Sequence, residues 1–467
     1  MTRTANVVIC GAGIAGISAA YHLAVQHGVK DVVLVDERPP LSLTSASSAE
    51  CYRNWWPGPG DAMVGLMNRS IDIMEDLAHD ADANNAVRLN RRGYLYATAD
   101  PARIPVFITA AMEAAALGAG PVRIHGNFPG LENLEDLLPY TPTPAEGFEG
   151  QPTGADVILD PEIIRQHFPY LANDTVAIVH ARRAGWFNAR DMGVYLLERA
   201  REHGVKVVPA RVEAMDVVNH QVEAVRLQSA DELGTIATHH FINAAGPYLK
   251  SVGTLLGIEL PVYSELHTKV AFVDHLDIVP RDAPLLIWAD PQPLQWNEDE
   301  RAELEGSNET RWLLRSFPSG AHTRPEGPTD SPIILVMWEY HAGATEATFP
   351  PAFDPWYPEI ALRGLARMLP KLRAYLYRMP KPVVDGGYYT RTRENRPLIG
   401  PLPIRGAYVI GAFSGFGMMA ACASGELLAA HITGSSLPHY APAFMLERYE
   451  DQEYQRLLEN WPTTGQL

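Results

Sequence analysis

The sequence predicts an α/β fold joined to a β fold: a Rossmann-like nucleotide-binding domain built from discontinuous segments, with an antiparallel-sheet domain inserted into it. Three observations predict it. Gly11-Ala12-Gly13-Ile14-Ala15-Gly16 lies between the apolar run Val7-Val8-Ile9-Cys10 and an Ala-rich helical stretch. From about 261 to 383 the pattern changes to extended segments separated by charged and Pro-rich loops. Near the C-terminus a second strand, Ala407-Tyr408-Val409-Ile410-Gly411, runs into a glycine-rich helix start, Ser414-Gly415-Phe416-Gly417-Met418-Met419.

In the first element the three glycines act mechanically, giving a tight turn, room for a pyrophosphate, and close helix–strand packing. The helix N-terminus offers N–H groups and a positive dipole end to phosphates. Asp36 ends the second strand, Val32-Val33-Leu34-Val35, twenty residues beyond Gly16, where a carboxylate accepts hydrogen bonds from a ribose. A Ser/Thr-rich segment follows (Leu43-Thr44-Ser45-Ala46-Ser47-Ser48), then the aromatic Cys51-Tyr52-Arg53-Asn54-Trp55-Trp56-Pro57. Residues 60–79 carry Met63, Met67, Ile71, Met74 and Leu77 at helical spacing, and residues 118–154 read as a Gly/Pro-rich loop or insertion. Helical spacing returns at 188–203, and short strands follow near 205–227 and 236–243. Extended segments at 264–273, 310–316 and 332–340, with a helix near 358–369, make up the inserted part. The resulting division gives 1–85, 155–260 and 384–467 to the nucleotide-binding domain, and 86–154 and 261–383 to the second.

Composition narrows the function. The 467 residues are 46% hydrophobic and 20% charged, an ordinary globular composition. A net charge of −17 speaks against nucleic-acid or anionic-membrane partners. Uninterrupted apolar runs stay short, so no transmembrane helix is expected. The first strand begins by Val7 and leaves no room for a signal peptide, so the expectation is a cytoplasmic protein. Three cysteines without a CxxC and sixteen scattered histidines give no disulfide framework and no metal spacing. Cys10 and Cys422 read as small core residues. Homo-oligomerisation is left open.

NAD and FAD both use the first glycine turn. The second glycine–helix element favours a flavin, because helix N–H groups there can stabilise negative charge on the reduced ring. With these elements in order, the chain resembles the D-amino-acid oxidase superfamily of flavoproteins, which includes glycine oxidase, monomeric sarcosine oxidase and sarcosine dehydrogenase-like enzymes. The resemblance spans nearly the whole chain. It rests on GAGIAG, Asp36, the LTSxxS segment, Ile242-Asn243-Ala244-Ala245-Gly246, GYYTRTRENRPLIGP (387–401) and GAFSGFGMMAACASGELLA (411–429). It implies that Gly11, Gly13, Ile14, Ala15, Gly16, Asp36 and Glu37 hold the adenosine diphosphate of FAD. It likewise implies Ser47 and Ser48 near the pyrophosphate, Val212 at the adenine, and Gly246, Gly415, Phe416, Gly417 and Met418 around the flavin.

The chain departs from the family at its anchors. The covalent histidine of sarcosine dehydrogenase-like members falls on Ala49-Glu50, and the covalent cysteine of sarcosine oxidases falls on Gly387, so non-covalent FAD is expected. A carboxylate-binding arginine of glycine oxidase falls on Tyr389, and a sarcosine oxidase lysine on Met419. Tyr389, Phe416, Met419, Trp338 and Tyr340 are expected to line a pocket for an apolar or cationic amine, Trp338 and Tyr340 sharing one strand face and Glu339 and His341 the other. Arg53 is a candidate for a substrate carboxylate. Lys269 and His267 share one face of a strand and are candidate catalytic groups with Tyr389; by resemblance, a lysine near the flavin promotes reoxidation by oxygen. The expected reaction is FAD-dependent oxidation of a primary or secondary amine, or an N-substituted amino acid, to an imine, with oxygen or another acceptor taking the electrons. Oxidation of a hydroxy acid or polyol, and a non-catalytic FAD-carrying subunit, are the alternatives.

Overall fold

The computed structural model describes residues 3–56, 58–80, 84–126, 139–229, 233–341 and 343–461. Residues 127–138 of the loop expected over 118–154, and Pro57 of the aromatic stretch, lie outside the described residues.

A six-stranded sheet forms the nucleotide-binding part, in the order Lys206–Pro209, Val32–Asp36, Val7–Cys10, His240–Asn243, Ala407–Gly411, Leu398–Pro401. The first five strands are parallel and the last is antiparallel. Val7–Cys10 and residues 32–35 are apolar and buried at every position because both faces are covered. Val7, Ile9, Val32 and Leu34 face the helices Ile14–Tyr21, Ala62–His79, Ala189–Glu202 and Gly417–Thr433. Val8, Cys10, Val33 and Val35 face the other way, onto a smaller sheet containing Arg211–Val218 and Gln221–Gln228. The helices Ile14–Tyr21 and Gly417–Thr433 cross closely at Gly425, and there Ser18 Oγ donates to the Ala421 carbonyl at 2.6 Å.

The second part is a nine-stranded mixed sheet. It runs Val383–Arg391, Tyr263–Val273, Ile333–Met337, Ala321–Glu326, Leu285–Trp288, Tyr94–Thr98, Ala177–Ala181, Ala155–Ile158, Val122–His125. Most neighbours are antiparallel; two pairs are parallel. The amphipathic helix Tyr357–Met368 packs Ile360, Leu362 and Leu365 against one face.

Three expectations change. Ala155–Ile158, Ala177–Ala181 and Val383–Arg391 lie in the large sheet, so the boundaries expected at 155 and 384 do not follow the sheets. Short strands look alike in either part; only their pairing partners assign them. Residues Arg311–Leu314 form a 3-10 turn rather than an extended segment, with the Arg311 guanidinium bonded back to the Glu305 carbonyl at 2.8 Å. Pro101–Ala119 is long and apolar enough to meet the length and composition of a membrane span. Its Phe107, Ile108, Ala111 and Ala114 pack instead into the core beneath the large sheet.

Candidate active site

The two sheets meet along Val383–Arg391. Thr390 Oγ1 donates to the Gly246 carbonyl (3.2 Å), its carbonyl accepts from Ser414 N (2.8 Å), and Thr44 Oγ1 donates to the Tyr388 carbonyl (2.9 Å).

On the six-stranded side of this seam lies a cleft of ≈ 890 Å³ lined by Gly11, Gly13, Ile14, Ala15, Asp36, Ser45, Ser48, Gly246, Gly415, Gly417 and Met418, among others. Backbone sterics shape it. Gly11 sits at φ +112°, where a Cβ would overlap the Ala244 carbonyl oxygen. Gly16 brings the helix so close to the strand that a Cβ there would overlap the Gly11 carbonyl. Gly13 is the extended N-cap of the first helix and makes no side-chain cap, and at that helix start Ser45 Oγ accepts from Ile14 N at 3.1 Å. The Asp36 carboxylate is fixed at the rim by Ala12 N (2.8 Å) and Arg38 N (2.9 Å). A second helix, Gly417–Thr433, also starts at the cleft without a side-chain cap. Two helix starts whose N-cap residues make no side-chain cap, glycines at 11 and 16 where a Cβ would overlap backbone, and a carboxylate at the rim suit a dinucleotide such as FAD.

Some expected cofactor residues do not line this cleft. Glu37 is outside the lining and pairs with Arg38 at 3.7 Å. Val212 is a core residue paired with Leu227 and does not line the cleft. Gly16 acts through packing, and Ser47 donates to Asp385 Oδ1 at 3.0 Å and lines a neighbouring cavity.

Ser48, Tyr389, Gly415 and Met418 also line a second, larger cavity (≈ 1560 Å³), so cleft and cavity are contiguous. Strand register builds its floor. In Tyr263–Val273, Glu265 stands opposite Tyr389, His267 opposite Gly387, and Lys269 opposite both Asp385 and Met337. Alternation therefore puts Glu265, His267 and Lys269 on one face, and His267 and Lys269 line the cavity. Lys269 Nζ donates to the Ser48 carbonyl (2.9 Å) and pairs with Asp385 (3.2 Å), tying the 47–48 loop to the sheet.

His267 is clamped. Nδ1 lies 2.9 Å from Glu339 Oε2, Nε2 lies 3.4 Å from Glu265 Oε2, and the ring stacks on Tyr389 at 4.0 Å between centroids. Arg391 pairs with the same Glu265 oxygen. Burial alone would push the imidazole down, but hydrogen bonds to Glu265 and Glu339 hold it above the ordinary histidine value. Burial and the nearby Glu339 charge push the Tyr389 phenol up, so it stays protonated.

Arg53 ends the short strand Cys51–Arg53, and only 5% of it is exposed. Its Nη1 donates to Tyr96 Oη at 2.9 Å, and its guanidinium lies over the Trp56 ring at 4.5 Å. Trp56 meets Phe416 edge-on at 4.9 Å, so Arg53, Trp56 and Phe416 form one wall, and Met419 lines the same cavity.

Trp338 touches the cavity but is a core residue, 2% exposed, with its indole N–H donating to the Pro318 carbonyl (3.2 Å). Tyr340 does not line the cavity itself: it donates to Asp354 (3.2 Å), stacks on Tyr357 and lines an adjoining chamber that shares Thr268, Trp338 and Glu339 with the cavity. Alternation states which residues share a face, not which face meets the cavity. Here the 338/340 face packs on the Tyr357–Met368 helix, and it is Glu339 that turns inward to His267. Sequence reasoning misses Glu339 as a site residue; its signal is an acid interrupting the apolar run from Ile333 to Trp338. His322, pushed down to about 4 by burial, and Cys51 also line the cavity and carry no signal in the sequence.

A family model described as FAD dependent oxidoreductase matches residues 6–431, and the chain belongs to that family. Human mitochondrial dimethylglycine dehydrogenase is 22% identical over 470 residues, 98% of this chain and 45% of the relative; the mouse protein is 23% identical over 471. The chain thus spans about half the length of these relatives. Among solved structures, L-proline dehydrogenase from P. horikoshii superposes with TM-score 0.70 at 17% identity, covering 96% of this chain and 99% of that one. Glycine oxidase from Geobacillus kaustophilus gives 0.69 at 14% identity, covering 96% and 99%. Iminodiacetate oxidase from Chelativorans gives 0.65 at 17% identity, covering 94% and 98%. These likenesses establish the fold.

Proposed function

We propose, with membership of the FAD-dependent oxidoreductase family as the premise, that this chain oxidises the C–N bond of an N-substituted amino acid to an imine, which water then hydrolyses. The observation that carries the reading is Arg53, a buried guanidinium lining the cavity beside the flavin end of the cleft. A buried, rigid fork of N–H donors facing a cavity suits a carboxylate. Dimethylglycine, glycine, iminodiacetate and proline, named for the relatives and structural neighbours, all join a carboxylate to a C–N bond. Arg53 thereby replaces the charged anchors missing at Tyr389 and Met419, and favours an amino acid over a plain amine.

Bound FAD supplies a two-electron acceptor for the hydride of the C–H next to nitrogen. The chain's residues supply position and dryness. Arg53 holds the carboxylate, and Trp56, Phe416, Met419 and Tyr389 exclude water and pack on the nitrogen substituents. FAD is held non-covalently, since Ala49, Glu50 and Gly387 offer no attachment chemistry and burial pushes the Cys51 thiol up, keeping it protonated.

Anaerobic titration of the purified yellow protein tests the reading. N,N-dimethylglycine, sarcosine and proline should bleach the oxidised-flavin absorbance faster than unsubstituted alkylamines or 2-hydroxy acids. Faster bleaching by either of the latter classes overturns it. Acid precipitation should release the flavin; flavin remaining on the washed polypeptide overturns the non-covalent reading.

A further inference from the structure

An amino acid carries its nitrogen as an ammonium in neutral water, whereas hydride loss from the adjacent carbon needs the nitrogen lone pair. A site oxidising such a substrate therefore has to receive a proton. Of the other polar groups lining the cavity, Arg53 and Lys269 supply donors, Tyr389 is a protonated phenol, burial lowers the proton affinity of His322, and Glu50 is engaged by Arg190 N at 3.3 Å.

Glu339 and His267 differ from all of these. The Glu339 carboxylate stands at the cavity, its side chain 29% exposed, and its Oε2 faces His267 Nδ1 at 2.9 Å. Behind His267 stand Glu265 on its own strand and Arg391 paired to Glu265. Tyr389 stacks on the ring, and His322 faces it from the Ala321–Glu326 strand. An imidazole between two carboxylates is a two-site proton store: it donates to both when cationic and can give up one proton without leaving its place.

We propose that Glu339 receives the substrate's ammonium group and that the Glu339–His267 pair takes its proton before oxidation. The inference rests on the amine-oxidising reading of the cavity. In the step, one N–H bond of the ammonium breaks and its electron pair stays on nitrogen. The proton passes to the Glu339 carboxylate and, when His267 is neutral with Nδ1 unprotonated, on to that nitrogen, and nothing is oxidised or reduced. Glu339 is the group that touches substrate, and His267 is a positioning residue acting through it.

Two measurements on FAD-loaded protein test this. The first is binding alone, read from the flavin spectrum with N,N,N-trimethylglycine and with its isostere 3,3-dimethylbutanoate, in which carbon replaces the quaternary nitrogen. Both carry the carboxylate, but only the first has a cationic head. Wild type should prefer the cation, and Glu339→Gln should lower that preference about tenfold or more while keeping its flavin. An unchanged preference overturns Glu339 as the ammonium site.

The second is the pH dependence of anaerobic flavin reduction by N,N-dimethylglycine. In wild type the rate should rise with pH through an ionisation that His267→Gln abolishes and Glu339→Gln displaces. A profile identical in all three proteins belongs to the substrate's own amine and overturns the proton route. If no N-substituted amino acid reduces the wild-type flavin, the functional reading fails by itself. The trimethylglycine comparison still decides whether Glu339 recognises a cation.

Discussion

The cofactor cleft and the substrate cavity share four residues yet are built by opposite means. The cleft is a backbone object. Gly11 and Gly16 act by lacking side chains, and two helices begin at its wall. The cavity is a side-chain object. Arg53, His267, Lys269, Glu339, Tyr389 and Phe416 reach it from strands and loops far apart in sequence. A backbone cleft tolerates little change and serves one ligand; a side-chain cavity can be re-lined within the same fold.

The sharpest way to break this contrast is Gly11→Ala. A positive φ and overlap with the Ala244 carbonyl should cost several kcal/mol and abolish FAD binding, read as flavin content and thermal midpoint. A variant that retains flavin would show that the cleft adapts like a side-chain site.

Arg53→Met comes next. It should keep flavin but weaken carboxylated substrates by about 2–5 kcal/mol, roughly 30- to 5000-fold in kcat/KM, with uncharged amines little affected. Equal loss for both substrate types would make Arg53 a purely structural cation.

Lys269→Met probes the seam, since this lysine holds the 47–48 loop and also lines the cavity. Reoxidation of reduced flavin by oxygen should slow about tenfold or more (~1.4 kcal/mol) beyond any change in anaerobic reduction. Stopped-flow traces with both half-reactions unchanged would remove Lys269 from the site.

Weaker is the pH dependence of stability. The His267 value is raised on folding, so its clamp stabilises fully below the unfolded-state value near 6.5 and loses that contribution as pH rises through the folded value. The difference in thermal midpoint between wild type and His267→Gln should therefore be largest at acidic pH and shrink toward alkaline pH. A difference constant across that range would mean that packing on Tyr389, not charge, is what His267 contributes.

The smallest effect belongs to Tyr340→Phe. It removes a hydroxyl bonded to Asp354 in the neighbouring chamber, and should leave substrate kinetics within about twofold of wild type. A large change in KM would return Tyr340 to the cavity.

Legibility followed the same division. GAGIAG, Asp36 and the Gly415–Met419 turn were readable because their physics is local: a turn, a missing Cβ and a helix start occupy adjacent positions. That His267 and Lys269 share a face was readable, because strand alternation is local too. That this face meets the cavity depends on Val383–Arg391 and Ile333–Met337 lying on either side of it, a fact of long-range pairing. Tyr340 and Glu339 exchanged places for that reason, and Val212 and Glu37 lie outside the cleft because neighbouring strands and turns direct them away.

The sequence by itself determined a two-part flavoprotein fold and the glycine cradle for its dinucleotide, because steric exclusion and hydrogen-bond geometry act within a few residues. Only the tertiary structure decided which charged groups line the cavity. A side chain's partners, burial and proton affinity are set by whatever strand packs beside it, here Glu339 against His267 across seventy-two positions of chain.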